Sequence, residues 1–315
     1  MHRYSVYGVS VSSDVPFELP IREDTWRTDP HVRFARGGDE EFGGVPVAGS
    51  PDEPWFVCAE RGDESIYLRW SGLYEFLVAP CGTHVAYRPL QHGDAAVLQN
   101  FLLGQALSFA LVRQGVEPIH AAVIDLDGRG IGLLGDCGFG KSTLAGSLMQ
   151  AGHRLVTDDV LIVDERGAEL MVRAGTGRIK LLPDSAASVM GVGHAGIPVA
   201  PQADKLVFRL DDRLVQNRDV PLEAFLILPA PTERAACDRV EIQRTSRAEL
   251  FYELVRNTFV CDIENGRRLQ RNFSVNARIA SSVDGYKLRY PPGIDRLPMV
   301  RQAVLEHFHQ DREIQ

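Results

Sequence analysis

Lysine is scarce in this 315-residue chain: of its 34 basic residues only Lys141, Lys180, Lys205 and Lys287 are lysines, so each stands out. Positive charge is not in excess either. The formal net charge is −8, which argues against nucleic acid as the main partner, because such binding needs a concentrated basic face to release phosphate counterions. The N-terminus, MHRYSVYGVSVSS, has no basic stretch leading into an apolar one, and no window reads as the 18 or so apolar residues of a membrane helix. The expectation is a soluble, cytoplasmic protein. The five cysteines (Cys58, Cys81, Cys137, Cys237 and Cys261) show neither CxxC nor metal-ligand spacing, and their odd number fits reduced thiols better than a disulfide framework. Repeats and low-complexity tracts are lacking. What is present is 44% apolar content, enough to bury a core in one large domain or two ordinary ones.

The first ~90 residues alternate short β-type runs (RYSVYGVSV, HVRFA, PWFVCAE, SIYLRW, YEFLVAP, HVAYRPL) with Gly, Pro and Asp clusters, which predicts a small antiparallel sheet. GGDEEFGGVPVAGSPDEP, residues 37–54, reads as a loop. From Asp94 the apolar period becomes helical up to Gly115, predicting a helix of about 20 residues. The boundary is therefore placed between a β-rich N-terminal domain, 1–94, and a second domain, 95–315. Downstream, RIKLLPDSAASVM suggests a strand or loop entering a helix, KLVFRL, AFLILPA and YKLRYP read as strands, and AELFYELVRNTF is an amphipathic helix. LPMVRQAVLEHFH closes the chain as a helix with Pro298 in its first turn.

The chemical centre lies between. Gly135, Asp136, Cys137, Gly138, Phe139, Gly140, Lys141, Ser142 and Thr143 spell GDCGFGKST, fitting G-x-x-x-x-G-K-[ST], after the apolar strand IGLL and before the helical run LAGSLMQA. Glycines let successive backbone N–H groups curl around phosphates and the helix N-terminus adds partial positive charge. Lys141 then reaches the β/γ-phosphates and Ser142 holds Mg²⁺. A dinucleotide fingerprint fails here, since no glycine follows Gly138-Phe139-Gly140 at the required spacing.

Phosphoryl transfer is mostly positioning and charge neutralisation, and needs carboxylates for the metal and the attacking hydroxyl. Asp158 and Asp159, 17 and 18 residues after Lys141, are the candidates. Adjacent side chains on a strand point to opposite faces, so the two take different roles or one caps the strand end. His120, in EPIHAAVI, reads either as a satisfied core or edge histidine or as a site residue. Arg178, Lys180, Lys205 and Arg256 are candidates for the further cation a phosphoryl transition state needs, Lys180 and Lys205 first.

The run from His120 through GDCGFGKST to GHRLVTDD resembles the catalytic domain of bacterial HPr kinase/phosphorylase. The helix FLLGQALSFALVRQGVEPIHAAVI, the segment RIKLLPDSAASV and the ending YKLRYPPGIDRLPMVRQAVLEH resemble HPr-kinase-related proteins without the usual regulatory N-terminal domain. The resemblance implies an α/β (α+β) fold with the mixed-sheet core that this family shares with phosphoenolpyruvate carboxykinase. It implies ATP and Mg²⁺ as cofactors and Asp158 as general base, with Asp159 holding metal and phosphate, Ser142 on the metal, Lys141 on the moving phosphoryl group and His120 positioning the reacting groups. The family's L-E-[IV]-R-G segment has no close match: VDERGAEL places Glu165-Arg166-Gly167 too near Asp159, which puts a fourth acidic ligand and reverse phosphorolysis in question. Cys137 stands where the family usually has Ser.

The implied activity is a serine kinase acting on a peptide or small protein. Some relatives of this type phosphorylate the C-terminal Ser of a lasso-peptide precursor. A small-molecule kinase and an ATP-dependent switch or scaffold are the alternatives the same motifs allow. No nucleic acid or membrane partner is expected, and a homo-oligomer remains open.

Overall fold

The computed structural model describes residues 1–19, 31–43, 54–191, 194–201, 203–260 and 265–314. Its contacts divide the chain into two compact units. The first comprises Met1–Pro118 with Phe259–Arg271, and the second Ile119–Thr258 with Asn272–Gln315.

The first unit is built on a seven-stranded sheet, in the order His2–Val6, Val9–Ser13, His31–Arg36, His84–Pro89, Tyr74–Val78, Ile66–Trp70, Phe56–Glu60. The β-rich expectation holds, but the sheet is mixed: His31–Arg36 runs parallel to both its neighbours. The run RYSVYGVSV is not one strand. Tyr7 (φ 55°) and Gly8 (φ 72°) both adopt left-handed backbone, the geometry of a two-residue hairpin turn whose twist suits antiparallel strands. Residues 44–53 of the expected acidic loop lie outside the described residues.

The expected long helix is present from Ala95 to Arg113, with a π-helical turn at Leu102–Ala106 where Gly104 leaves helical geometry. By its contacts it belongs to the first unit, whose opening stretch runs to Pro118. Phe101 packs against Trp70 at 4.8 Å and Tyr74 at 5.3 Å between ring centroids. This 19-residue helix, with mean hydropathy 1.6, is in fact long and apolar enough to span a membrane, against the sequence expectation, yet 72% of its apolar window is buried inside the protein. It is a core helix by packing. Cys58 is disulfide-bonded, which corrects the reduced-thiol reading at that position, while Cys81, Cys137 and Cys237 are free.

The second unit is organised around an eight-stranded mixed sheet. Val220–Ile227 lies at its centre, parallel to both Arg129–Leu134 and Asp284–Arg289. Alternation along the strands feeds two cores. Ile124, Leu126 and Leu226 face one side with Leu144 and Leu148 of the helix Lys141–Gln150 and with Val304 and Phe308 of the helix Leu297–Ile314. Val123 and Phe225 face the other with Leu250 and Leu254 of the helix Arg247–Arg256. Strands thus buried on both faces explain their near-continuous apolar sequence. Gly132 is paired with Phe225, and a Cβ there would lie 2.4 Å from two ring carbons of that side chain.

Candidate active site

The strand Arg129–Leu134 delivers the chain to Gly135, and the helix Lys141–Gln150 receives it after Gly140. Gly138 (φ 88°) and Gly140 (φ 87°) take the left-handed backbone, which any side chain would strain. Lys141 is 6% exposed and its Nζ donates to the carbonyls of Gly135 at 2.5 Å and Asp136 at 3.3 Å. Burial draws its pKa below the ordinary value, against the pull of Asp158 and Asp159.

After the helix comes the strand Arg154–Thr157, which runs antiparallel to Ala122–Leu126 and leads to the Asp158 that bonds Ser142 of the loop. Asp158 and Asp159 follow it at once. Asp158 is 5% exposed and accepts from the Ser142 hydroxyl at 2.9 and 3.1 Å and from the Lys180 backbone N–H at 2.9 Å. Burial, and next the charge of Asp159, push its pKa up to about 7, although the bonds from Lys180 and Ser142 oppose the rise.

Asp159 has the opposite environment. A left-handed backbone (φ 69°) turns it away from its neighbour, and its carboxylate meets Lys180 Nζ at 2.5 Å with 23% of the side chain exposed. Burial works to raise it, but the positive charges of Lys180 and His120 win and its pKa is lowered. Two adjacent carboxylates are thereby driven apart, one towards neutrality and one firmly ionised.

His120 is brought to the same place. Its Nδ1 donates to the Asp159 carbonyl at 3.0 Å, and its backbone N–H bonds Asn257 O at 2.6 Å. Burial and the nearby Lys141 lower its pKa. Lys205 Nζ lies 3.9 Å from Cys137 Sγ, and Arg256 bonds Asp136 at 2.7 Å, so both approach the loop from outside. Arg178 is buried at 8% exposure. Glu165 and Arg166 are engaged in a surface hairpin, with Arg278 at 2.6 Å and Asp219 at 2.5 Å respectively.

Sequence reasoning passed over Arg234. Its guanidinium donates to the carbonyl of Phe139 inside the loop and lies 4.6 Å from the centre of the Tyr290 ring. Arg234 sits in no motif, and Tyr290 lies in the quoted ending YKLRYPPGID without any sign of a site role; both come from elements far downstream of the loop.

Among the described residues no three His, Cys, Asp or Glu side chains form a ready metal cage. The oxygens at the loop, Ser142 Oγ with the Asp158 carboxylate and Asp159 beside it, are a hard donor set that suits Mg²⁺, which takes one or two carboxylates together with phosphate and water. Ser142 is paired with Asp158 rather than with Asp159, whose oxygen is held by Lys180.

Part of the chain is similar to known proteins. Residues 114–194 match the family model described as HPr Serine kinase C-terminal domain. The HPr kinase/phosphorylase of Prosthecochloris aestuarii is 36% identical over 59 residues, 19% of this chain and 17% of that one. That of Clostridium beijerinckii is 30% identical over 99 residues, 31% of either chain. The chain thus spans less than a third of these relatives. A structure of the HPr(Ser) kinase/phosphatase from Coxiella burnetii aligns with TM-score 0.34 and 14% identity over 62% of this chain and 93% of that one.

Proposed function

We propose that this chain, HPr-kinase-like through residues 114–194, is an ATP- and Mg²⁺-dependent serine kinase whose acceptor is a hydroxyl on a peptide or small protein. The observation that carries the reading is the buried cluster beside the phosphate loop: Ser142 on Asp158, Lys180 on Asp159, and His120 on the Asp159 backbone.

In this reading Gly135–Gly140 and the start of the following helix cradle the phosphates, and Lys141 exchanges its loop carbonyls for β/γ-phosphate oxygens. Ser142, with the acidic pair beside it, would hold Mg²⁺, which would supply charge neutralisation at the phosphates. Asp158 accepts the proton of the attacking hydroxyl, a task favoured by a pKa near the working pH. Asp159 stays ionised and fixes Lys180 at the site, where that ammonium balances charge on the transferred group. His120 holds the Asp158–Asp159 turn in place through its bond to the Asp159 carbonyl.

The acceptor to try first is a peptide with a C-terminal serine, as in a lasso-peptide precursor. A cytoplasmic location goes with the reading, although the disulfide at Cys58 runs against it. The test is incubation of the purified chain with γ-labelled ATP, Mg²⁺ and peptides bearing serine at the C-terminus or internally, followed by mass spectrometry. A gain of one phosphate that is lost in both Asp158→Ala and Lys141→Ala supports the kinase and identifies the acceptor class. Tight ATP binding with no transfer to any peptide moves the reading to a metabolite kinase or an ATP-gated switch.

A further inference from the structure

Three neighbouring parallel strands deliver the phosphate loop, an arginine and an aromatic ring to one edge of the sheet. Arg129–Leu134 leads into the loop, Val220–Ile227 towards Arg234 and Asp284–Arg289 into Tyr290, and the Leu228 N–H donates to the Leu134 carbonyl at 2.9 Å. Arg234 is half-buried. Its guanidinium donates to the carbonyls of Phe139 and, at 3.3 Å, Pro229, and rests against the buried Tyr290 ring. Its Nε is buried without a hydrogen-bond partner, and no carboxylate among the described residues pairs with it. Withdrawing a cation from water in this way is unfavourable, and what the cation holds is one carbonyl of the loop.

The conformation of the loop explains why that carbonyl needs holding. Phe139 stands between Gly138 (φ 88°) and Gly140 (φ 87°), and glycine takes either sign of φ at little cost. The Phe139–Gly140 peptide is thus free to turn over. Because a peptide is planar and trans, its carbonyl and its N–H point in opposite directions. One orientation offers bound phosphate an N–H, and the other a carbonyl oxygen that repels it. A charge-assisted bond to the Phe139 carbonyl selects between them. The guanidinium also packs on Gly140 itself: a Cβ there would lie 3.3 and 3.5 Å from its two terminal nitrogens and 3.5 Å from the Tyr290 hydroxyl.

We propose that Arg234, supported by the Tyr290 ring, is a positioning residue that fixes the Phe139–Gly140 peptide with its N–H towards bound phosphate. The inference rests on the phosphate-loop reading above and adds a residue outside the matched segment 114–194.

NMR on the full-length chain carrying carbonyl-labelled phenylalanine and nitrogen-labelled glycine tests it. Phe-Gly occurs only at Phe42-Gly43 and Phe139-Gly140, so Gly43 is the internal standard. Inorganic tripolyphosphate with Mg²⁺ is expected to move the Gly140 amide signal and leave that of Gly43 in place. In Arg234→Met and Arg234→Gln, tripolyphosphate and ATP are each expected to bind roughly tenfold more weakly, with a smaller movement of Gly140 at saturation. Arg234→Lys keeps a charged donor and is expected to recover most of the affinity. Unchanged affinities in a folded Met or Gln variant, a loss confined to ATP, or a full Gly140 movement at saturation overturns the positioning role while the loop reading stands. Failure of the unmodified chain to bind either ligand overturns the loop reading and the positioning role with it.

Discussion

In the proposed kinase Asp158 has to stay buried to be positioned and has to lose its proton to act as the base. Its pKa is pushed up to about 7, chiefly by burial and then by Asp159. At limiting ATP the transfer rate of the proposed kinase is therefore expected to rise with pH and level off above about 7. Lys180 is one of the charges that lowers the Asp158 pKa, so Lys180→Ala is expected to move that inflection to higher pH. A pH–rate series on both proteins checks this, and an unmoved inflection would remove Lys180 from the site. The same shift has a cost in stability. Between the ordinary aspartate value of 3.8 and about 7 the native state keeps a proton that the unfolded chain has released, so stability falls as pH rises through that window. Asp158→Asn removes this penalty: it is expected to melt close to the unmodified protein at pH 4 and several degrees higher at pH 8, while inactive as a kinase.

The strand Arg129–Leu134 sets the loop's position, and Gly132 sets the strand's. With its Cβ site 2.4 Å from the Phe225 ring, Gly132→Ala is expected to destabilise the protein by roughly 1–3 kcal/mol. Phe225→Leu in the same chain should recover part of that loss, since the clash is with one ring. Denaturant melts of the two singles and the double measure the coupling; additivity would mean that the strand gives way elsewhere. Elements of this kind were legible because their pattern is local: a strand, a glycine-rich loop, a helix and an acidic pair all fall within 40 residues. The helix Gly266–Ser282 was not. Its buried face includes Asn272 and Asn276, with Asn276 bonded to the Asn272 carbonyl at 2.9 Å, so polar residues occupy positions where an apolar period would have announced it. The Tyr7–Gly8 turn was missed for a related reason, because a tyrosine at positive φ gives no turn signal in sequence.

Across the whole molecule, chain order and unit membership part company. Residues Phe259–Arg271 are counted with the first 118 residues, a return that sequence reading could not detect because it rests on long-range pairs. Glu117, with a side chain 1% exposed, bonds Arg271 at 2.7 Å and lies 3.9 Å from Arg268, itself 10% exposed. Phe109 meets the ring of Phe259 at 6.4 Å. A cut at residue 94 strips Phe101 of Trp70 and Tyr74, and a cut at Pro118 strips residues 259–271 of Glu117 and Phe109. Neither shortened chain is therefore expected to remain monomeric in size-exclusion chromatography. The ion pair gives the finer test. Glu117→Ala leaves two arginines without their buried carboxylate, a loss of about 3 kcal/mol, which lowers the melting temperature by roughly 5–10 °C. Glu117→Gln keeps the shape and one acceptor oxygen and should lose less. Equal melting of all three proteins would show that the returning segment contributes nothing to the first unit, and the 119–315 chain would then be expected to fold alone.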